Sequence, residues 1–372
     1  MNFSDIIKIA FLWPVSLLYG LMMELRAGAY RAGLFRSHKA AVPVISIGNI
    51  VAGGTGKTPM AIYIARMLMD NGLRTAILSR GYKRKAESSP SASASACSAW
   101  QLRARNQKSK SLVVSDGISI FCKADESGDE PFLMALRLLG TKGKPGAMII
   151  VGKDRVAGAG KAAEMGAQVI VLDDGFQHLR LKRDLDIVLL DSQRPYDNGW
   201  LLPAGMLREP VSALRRAEAV VMTRGNNLNS EFKIQNSKAA MFKTRHKTGQ
   251  PYRFADRSTP SMEALKSSRV ILFSGIASPG SFEQSVRQAG ISFTAHLKYP
   301  DHHNYSRDQL KEIAGKAEEC DCLLTTEKDA VKLPPGLDLG KPLLVLPVEI
   351  GFMDEAQQQI FNQLVLDGAK LK

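Results

Sequence analysis

Short apolar runs alternate with stretches of helical periodicity along most of the 372 residues. Val42–Ile47, Thr75–Leu78, Met148–Val151, Val169–Leu172, Ile187–Leu190 and Val220–Met222 read as strands. Their runs are too short for buried helices and lack polar alternation, the pattern of strands covered on both faces. Helical segments fall between them at Pro59–Met69, Pro131–Leu139, Arg155–Met165 and Pro210–Ala217. The βα alternation predicts an α/β fold with a mostly parallel sheet flanked by helices. A second series follows, with strands at Val270–Phe273, Phe293–Leu297, Cys322–Thr325 and Leu343–Val348 and helices near Phe282–Ala289, Arg307–Glu319 and Asp354–Leu366. It predicts a smaller C-terminal α/β domain. The polar stretch Asn226–Ser268 has little apolar periodicity and reads as the link, giving a core over 36–225 and a linker plus second domain over 226–372.

The first 35 residues break this pattern. Ile6–Met23 is apolar apart from Lys8, Pro14, Gly20 and two small polar positions. No small-residue cleavage site follows, which argues against a cleaved signal peptide. Three readings compete: a helix lying in the membrane interface, a single span, and a buried core helix. The run barely reaches spanning length and holds a charge and a proline. Trp13, Tyr19 and the basic residues Arg26, Arg31, Arg36 and Lys39 suit an interfacial helix against anionic headgroups. A second irregular segment, about 84–110, contains a Ser-Ala repeat. From Lys83 to Lys110 there are seven basic residues and one acidic, the composition of a flexible insertion.

The formal net charge of +14 favours anionic partners such as nucleotides, nucleic acid or an anionic membrane face. Cys97, Cys122, Cys320 and Cys322 have no zinc-type spacing and read as reduced thiols. A zinc site or a cysteine nucleophile therefore has no support.

The chemistry begins where the first strand runs into Gly53-Gly54-Thr55-Gly56-Lys57-Thr58. A strand, a glycine-rich turn, Lys-Thr and a helix in that order form a phosphate-binding loop. The backbone N–H groups and the helix start cradle an anion, Lys57 reaches the β/γ-phosphates and the Thr58 hydroxyl sits on Mg²⁺. The fold class is thereby P-loop NTPase-like, with ATP and Mg²⁺ as the implied ligands. Ala52 precedes the paired glycines where partitioning-type ATPases carry a lysine, which argues against that class. Thr326-Glu327-Lys328-Asp329 does not match the N-K-x-D order of a guanine site.

A strand ending in Asp173-Asp174 supplies metal-site carboxylates, and the sequence leaves their separate roles open. Gly175-Phe176-Gln177-His178 adds donors close to the phosphates. Further polar clusters follow predicted strands or open helices: Gly128-Asp129-Glu130-Pro131, Leu202–Pro210 with Arg208 and Glu209, Pro300-Asp301-His302-His303, and Thr325–Asp329. In an open α/β sheet that edge binds ligands. Asp129 alone reads equally well as a helix cap. Transfer of a phosphoryl group to an alcohol also needs a proton acceptor, and Asp129 paired with His302 is the best available choice.

Taken together, these motifs resemble the tetraacyldisaccharide 4′-kinase family, the lipid A kinases of Gram-negative bacteria. The resemblance covers most of residues 40–335; the Asp173–His178 run and the Leu-Pro-Ala-Gly…Leu-Arg-Glu-Pro run carry it most specifically. It implies a peripheral or monotopic inner-membrane enzyme facing the cytoplasm. A monomer is expected, and no nucleic-acid partner, because the basic charge gathers partly in the insertion and near the N-terminus. The resemblance implies transfer of the ATP γ-phosphate to the 4′-hydroxyl of a tetraacyl glucosamine disaccharide 1-phosphate, giving lipid IVA. It also implies site roles. Lys57 and Thr58 match the phosphate and Mg²⁺ ligands, Asp173 and Asp174 the acidic metal pair, and Asp129 the catalytic carboxylate assisted by His302. Arg208 and Glu209 match active-site lining, and Gln177 and His178, in the turn after the acidic pair, are expected to line the site with them. The 84–110 segment departs from the family pattern as an insertion. His303 stands where an aromatic residue often occurs, which leaves His302 and His303 as alternatives.

Overall fold

The computed structural model describes residues 3–81, 111–225 and 238–370. The expected insertion at about 84–110 and the first part of the expected linker lie outside the described residues. The chain forms two compact units. One comprises Met1–Cys122, Met134–Arg245 and Gly351–Lys372; the other comprises Lys123–Leu133 and His246–Ile350.

A nine-stranded sheet, most of it in the first unit, holds β1 (Val44–Gly48), β2 (Thr75–Ser79), β3 (Ser111–Ser115), β4 (Met148–Gly152), β5 (Val169–Asp173), β6 (Leu185–Asp191), β7 (Ala219–Thr223), β8 (Ala240–Thr248) and β14 (Val348–Phe352). These lie in the order β14-β8-β7-β6-β1-β5-β2-β4-β3. β1 sits at the centre, parallel to β5 and β6, with Val44 opposite Ile170 and Ile45 opposite Leu185. β3 at the edge runs antiparallel to β4. Val44, Ile45, Ile47, Ile170 and Ile187 are wholly buried, as unbroken apolar strands in a two-sided sheet must be.

Each strand expected from residues 42–222 is present, lengthened by one or two residues at most ends. The helices expected at Pro59–Met69 and Arg155–Met165 appear as Lys57–Asp70 and Arg155–Glu164. Pro210–Ala217 differs: Val211–Arg216 is a 3₁₀ helix. The N–H groups of Ala213 and Ala217 bond three residues back, to Pro210 and Leu214. A single short turn starting from an extended proline closes the tighter ring more readily than an α-helix nucleates.

The contiguous division at residue 225 is corrected by the pairing. β8, inside the expected linker, runs parallel to β7 with Val220 opposite Met241. Its Phe242 and Thr244 face inward while Lys243 and Arg245 stay accessible. The helix Glu355–Gly368 also returns to the first unit. Its Phe361 is wholly buried and packs on Tyr63, Phe242 and Phe352, and Tyr63 Oη donates to Asn362 Oδ1 at 2.8 Å. Burying one such ring is worth about 1.5–3 kcal/mol.

The second unit holds a sheet of β9 (Tyr252–Arg253), β10 (Val270–Ser274), β11 (Ala295–Lys298), β12 (Cys322–Thr326) and β13 (Leu343–Leu346), ordered β11-β10-β12-β13-β9. All pairs are parallel except β13 with β9. Phe282, Val286, Leu310 and Ile313 from the helices Pro279–Gln288 and Arg307–Ala317 are buried in its core clusters.

The N-terminal helix runs from Phe3 to Arg31. Among the described residues no helix is long and apolar enough to cross a membrane, which removes the single-span reading. The core-helix reading fails as well: Phe11, Leu18 and Leu25 are 82 %, 68 % and 65 % exposed, with Val15, Leu17, Leu21 and Met22 on the same open surface.

Candidate active site

The glycine-rich loop is held from beneath. Gly56, the N-cap of Lys57–Asp70, has φ 86°, a left-handed conformation that glycine takes without strain. Wholly buried Asn49 donates through Nδ2 to Thr55 Oγ1 at 3.0 Å. From the end of β7, Thr223 Oγ1 donates to the Thr55 carbonyl at 3.1 Å and Arg224 Nη2 to the Gly54 carbonyl at 2.8 Å. Arg224 is itself anchored on Asp191 at 2.7 Å. Neighbouring strand ends thus occupy loop carbonyls. The first N–H groups of the helix, which have no intrahelical acceptor, are the donors available to a phosphate.

Lys57 Nζ lies 3.4 Å from the Gly53 carbonyl and 3.6 Å from Asp174 Oδ1. The adjacent aspartates diverge, as alternation at a strand end requires. Asp173 ends β5, is buried, and accepts from Ser79 Oγ at 3.0 Å, while its carbonyl accepts from buried Arg155 Nη2 at 3.2 Å. Asp174 turns out at φ 51° and takes Arg208 Nη1 at 3.0 Å on both oxygens. Burial alone would raise the Asp174 carboxyl; Lys57 and then Arg208 outweigh it and hold the group below the usual carboxylate range.

Arg208 is delivered by a segment that pairs with the approach to the loop. Arg208 N–H donates to the Ile50 carbonyl and Ala52 N–H to the Met206 carbonyl, each at 2.7 Å. Glu209 faces inward instead: it is buried, bonds Arg216 at 2.7 Å, and Arg216 stacks 4.4 Å over the Phe176 ring. Gln177 Nε2 donates to the Asn49 carbonyl at 2.9 Å. Burial, then the positive charges of Arg155, Arg183, Arg180 and Arg26, push the His178 imidazole down to about 4.

The N-terminal helix docks its polar positions on this same region. Ser16 Oγ accepts from Ala204 N–H at 2.9 Å, Tyr19 Oη donates to the Arg208 carbonyl at 2.9 Å, and Arg26 Nη2 donates to the Gln177 carbonyl at 3.2 Å.

In the second unit, Asp129 is the first residue of the helix Asp129–Arg137 rather than its cap. Its Oδ2 lies 3.2 Å from His302 Nδ1. His302 has φ 58°, and the left-handed turn separates it from its neighbour. His303 stacks on Tyr299 at 4.9 Å and bonds Gln309 Oε1 through Nε2 at 2.9 Å. Of the two histidines, the structure brings His302 to Asp129.

The sequence reading passed over Asn49, Ser79, Arg155 and Arg224. All but Arg155 sit at or just past the C-terminal ends of strands, and that position was the available signal. Tyr19 gave none, because its partner is 189 residues away.

The triphosphate reading implies Mg²⁺, an ion satisfied by one or two carboxylates, phosphate oxygens and waters. Thr58, Asp173 and Asp174 offer the oxygen donors that Mg²⁺ takes; Thr58 and Asp173 are buried at the loop and the end of β5, while Asp174 is engaged by Lys57 and Arg208. Among the described residues no group of three or more His, Cys, Asp or Glu could hold a metal by itself.

Comparison with known proteins places the chain in a family. A family model described as "Tetraacyldisaccharide-1-P 4'-kinase" matches residues 9–102 and 103–366. A tetraacyldisaccharide 4′-kinase of Pelobacter propionicus is 39% identical over 87% of this chain and 83% of its own length. That of Geobacter metallireducens is 38% identical over 94% and 96%. Among solved structures, LpxK from Aquifex aeolicus in complex with ATP is 32% identical with a TM-score of 0.76, covering 97% of this chain and 99% of that one. The chain belongs to the tetraacyldisaccharide-1-phosphate 4′-kinase family.

Proposed function

We propose that this kinase moves the γ-phosphate of ATP to the 4′-hydroxyl of a tetraacyl glucosamine disaccharide 1-phosphate, giving lipid IVA. The observation that carries the reading is Lys57 and Arg208 converging on Asp174 at the mouth of a helix-capped phosphate loop.

The loop N–H groups and Lys57 bind the β- and γ-phosphates and hold the γ-phosphorus for in-line attack. The Thr58 hydroxyl and the Asp173 and Asp174 carboxylates would hold Mg²⁺, which would supply charge neutralisation at the phosphate oxygens. Asp129 accepts the proton of the 4′-hydroxyl as the sugar oxygen bonds to the γ-phosphorus. The bridging bond to the β-phosphate breaks and ADP leaves. His302 Nδ1, 3.2 Å from the Asp129 carboxylate, orients it toward the hydroxyl. Arg208 and Gln177 line the phosphate side of the site.

The acceptor is a lipid, so the site works at a bilayer. The open apolar surface of Phe3–Arg31 and the basic residues after it support a peripheral or monotopic enzyme on the cytoplasmic face of the inner membrane. The protein acts as a monomer and needs no nucleic acid. The test is transfer of labelled phosphate from ATP to the lipid acceptor in detergent micelles. A 4′-phosphorylated product is expected. DNA-stimulated ATP hydrolysis without a lipid product would overturn the reading.

A further inference from the structure

The run Thr325-Thr326-Glu327-Lys328-Asp329 lies at the end of β12 in the second unit, and the transfer mechanism leaves it without a task. β12 pairs directly with β10, so its end lies level with Ser274-Gly275. Asp329 is wholly buried. Its Oδ1 accepts from Gly275 N–H at 3.1 Å and from Lys332 Nζ at 2.8 Å, and its Oδ2 from Thr326 Oγ1 at 2.7 Å. The Gly275 carbonyl in turn accepts the N–H of His302 at 3.0 Å. A side chain at position 275 would place its Cβ 2.8 Å from His303 Cβ and 3.1 Å from the Pro300 carbonyl. The chain carrying His302 is thus pressed against Gly275, with His302 held left-handed at φ 58°.

Lys328 acts on the other member of the pair. Its Nζ forms an ion pair with Glu130, the residue after Asp129 in the first turn of Asp129–Arg137. Two consecutive residues of one turn therefore reach the two halves of the dyad: Asp329 through Gly275 to His302, and Lys328 through Glu130 to Asp129.

We propose that Lys328 and Asp329 are positioning residues that set the Asp129–His302 contact; the proposal rests on the catalytic reading of that pair. A buried aspartate beside a buried lysine is costly unless its oxygens are occupied, and occupied it is rigid. Rigid support matters because a misplacement of about 1 Å costs on the order of 10²-fold in rate.

The full-length protein is assayed with ATP and the lipid acceptor in micelles, comparing Lys328→Met, Lys328→Arg, Asp129→Asn and the double variant Lys328→Met/Asp129→Asn. Lys328 is 38 % exposed and Glu130 34 %, so these variants are expected to fold. Lys328→Met is expected to lower kcat by about 10- to 10²-fold with both KM values within about twofold, the mark of an interaction made in the transition state. Lys328→Arg should recover most of the rate. The double variant should be no slower than Asp129→Asn, because a residue acting through Asp129 has nothing left to position. An unchanged kcat in Lys328→Met, a raised KM at normal kcat, or additive losses in the double variant would each overturn the proposal. Near-normal kcat in Asp129→Asn would instead overturn the catalytic reading beneath it. Asp329→Asn keeps an acceptor oxygen for Gly275 and should be faster than Asp329→Ala; if both unfold, the Lys328 series still decides.

Discussion

Asp174 is where the charges of the phosphate loop meet. With Lys57 and Arg208 on one carboxylate, it keeps both cations oriented before any anion arrives. Lys57→Ala should abolish turnover while far-UV circular dichroism and Tm stay close to the parent, because among the described residues its side chain meets the Gly53 carbonyl and Asp174. A folded, active variant would remove the loop from the chemistry. Asp129→Ala should lower kcat by about 10²–10⁴-fold, the scale of a lost general base. Stopped-turnover assays that find a normal kcat would exclude it from that role.

His178 carries a stability signature. Its folded value near 4 lies below the ordinary 6.5, so the unfolded chain binds its proton first as pH falls. The contribution is fully present above 6.5 and drains away between 6.5 and about 4. His178→Gln should therefore show a shallower fall in Tm across that window; an unchanged slope would mean His178 does not titrate in this way. At this scale the sequence made the loop and the acidic pair legible, because spacing alone carries them. It left His302 and His303 open, since adjacent residues differ only through a backbone turn that no side-chain pattern announces.

Among the elements, the Phe3–Arg31 helix has two unlike faces. Ser16 and Tyr19 bond the Leu201–Arg208 region, while Phe11, Leu18 and Leu25 point away from it. Replacing those three apolar residues by serine should weaken flotation with anionic vesicles and lower activity on lipid presented in bilayers, with ATP binding unchanged. Retained flotation would show that this surface does not meet the membrane. The sequence announced this helix by its long apolar run, and the central strands by short unbroken apolar runs set between helical periods. It concealed β3, β8 and β9, which are at or near sheet edges or very short, and whose polar residues dilute the period-two signal.

Over the whole molecule, basic residues outnumber acidic ones to leave +14. Attraction to anionic lipid should decline as salt rises, since the Debye length shrinks from about 10 Å at 0.1 M to about 3 Å at 1 M. Apolar insertion is not screened, so a salt-resistant fraction should remain in vesicle co-sedimentation and vanish in the serine-substituted helix. Complete release of the parent protein by salt would assign all binding to charge. The division into two units was only half legible. Periodicity placed both βα series, but the return of Gly351–Lys372 to the first unit depends on Phe361 and Asn362 finding Tyr63, a contact across nearly the whole chain.

Trimming the leading segment to ease purification would therefore do more than remove a greasy handle. Ala204 N–H and the Arg208 carbonyl would lose their partners, at about 1–3 kcal/mol for each group left buried. The loop that presents Arg208 would slacken. A shortened enzyme that fails in detergent, where no bilayer is needed, would be reporting a damaged catalytic loop rather than a missing anchor.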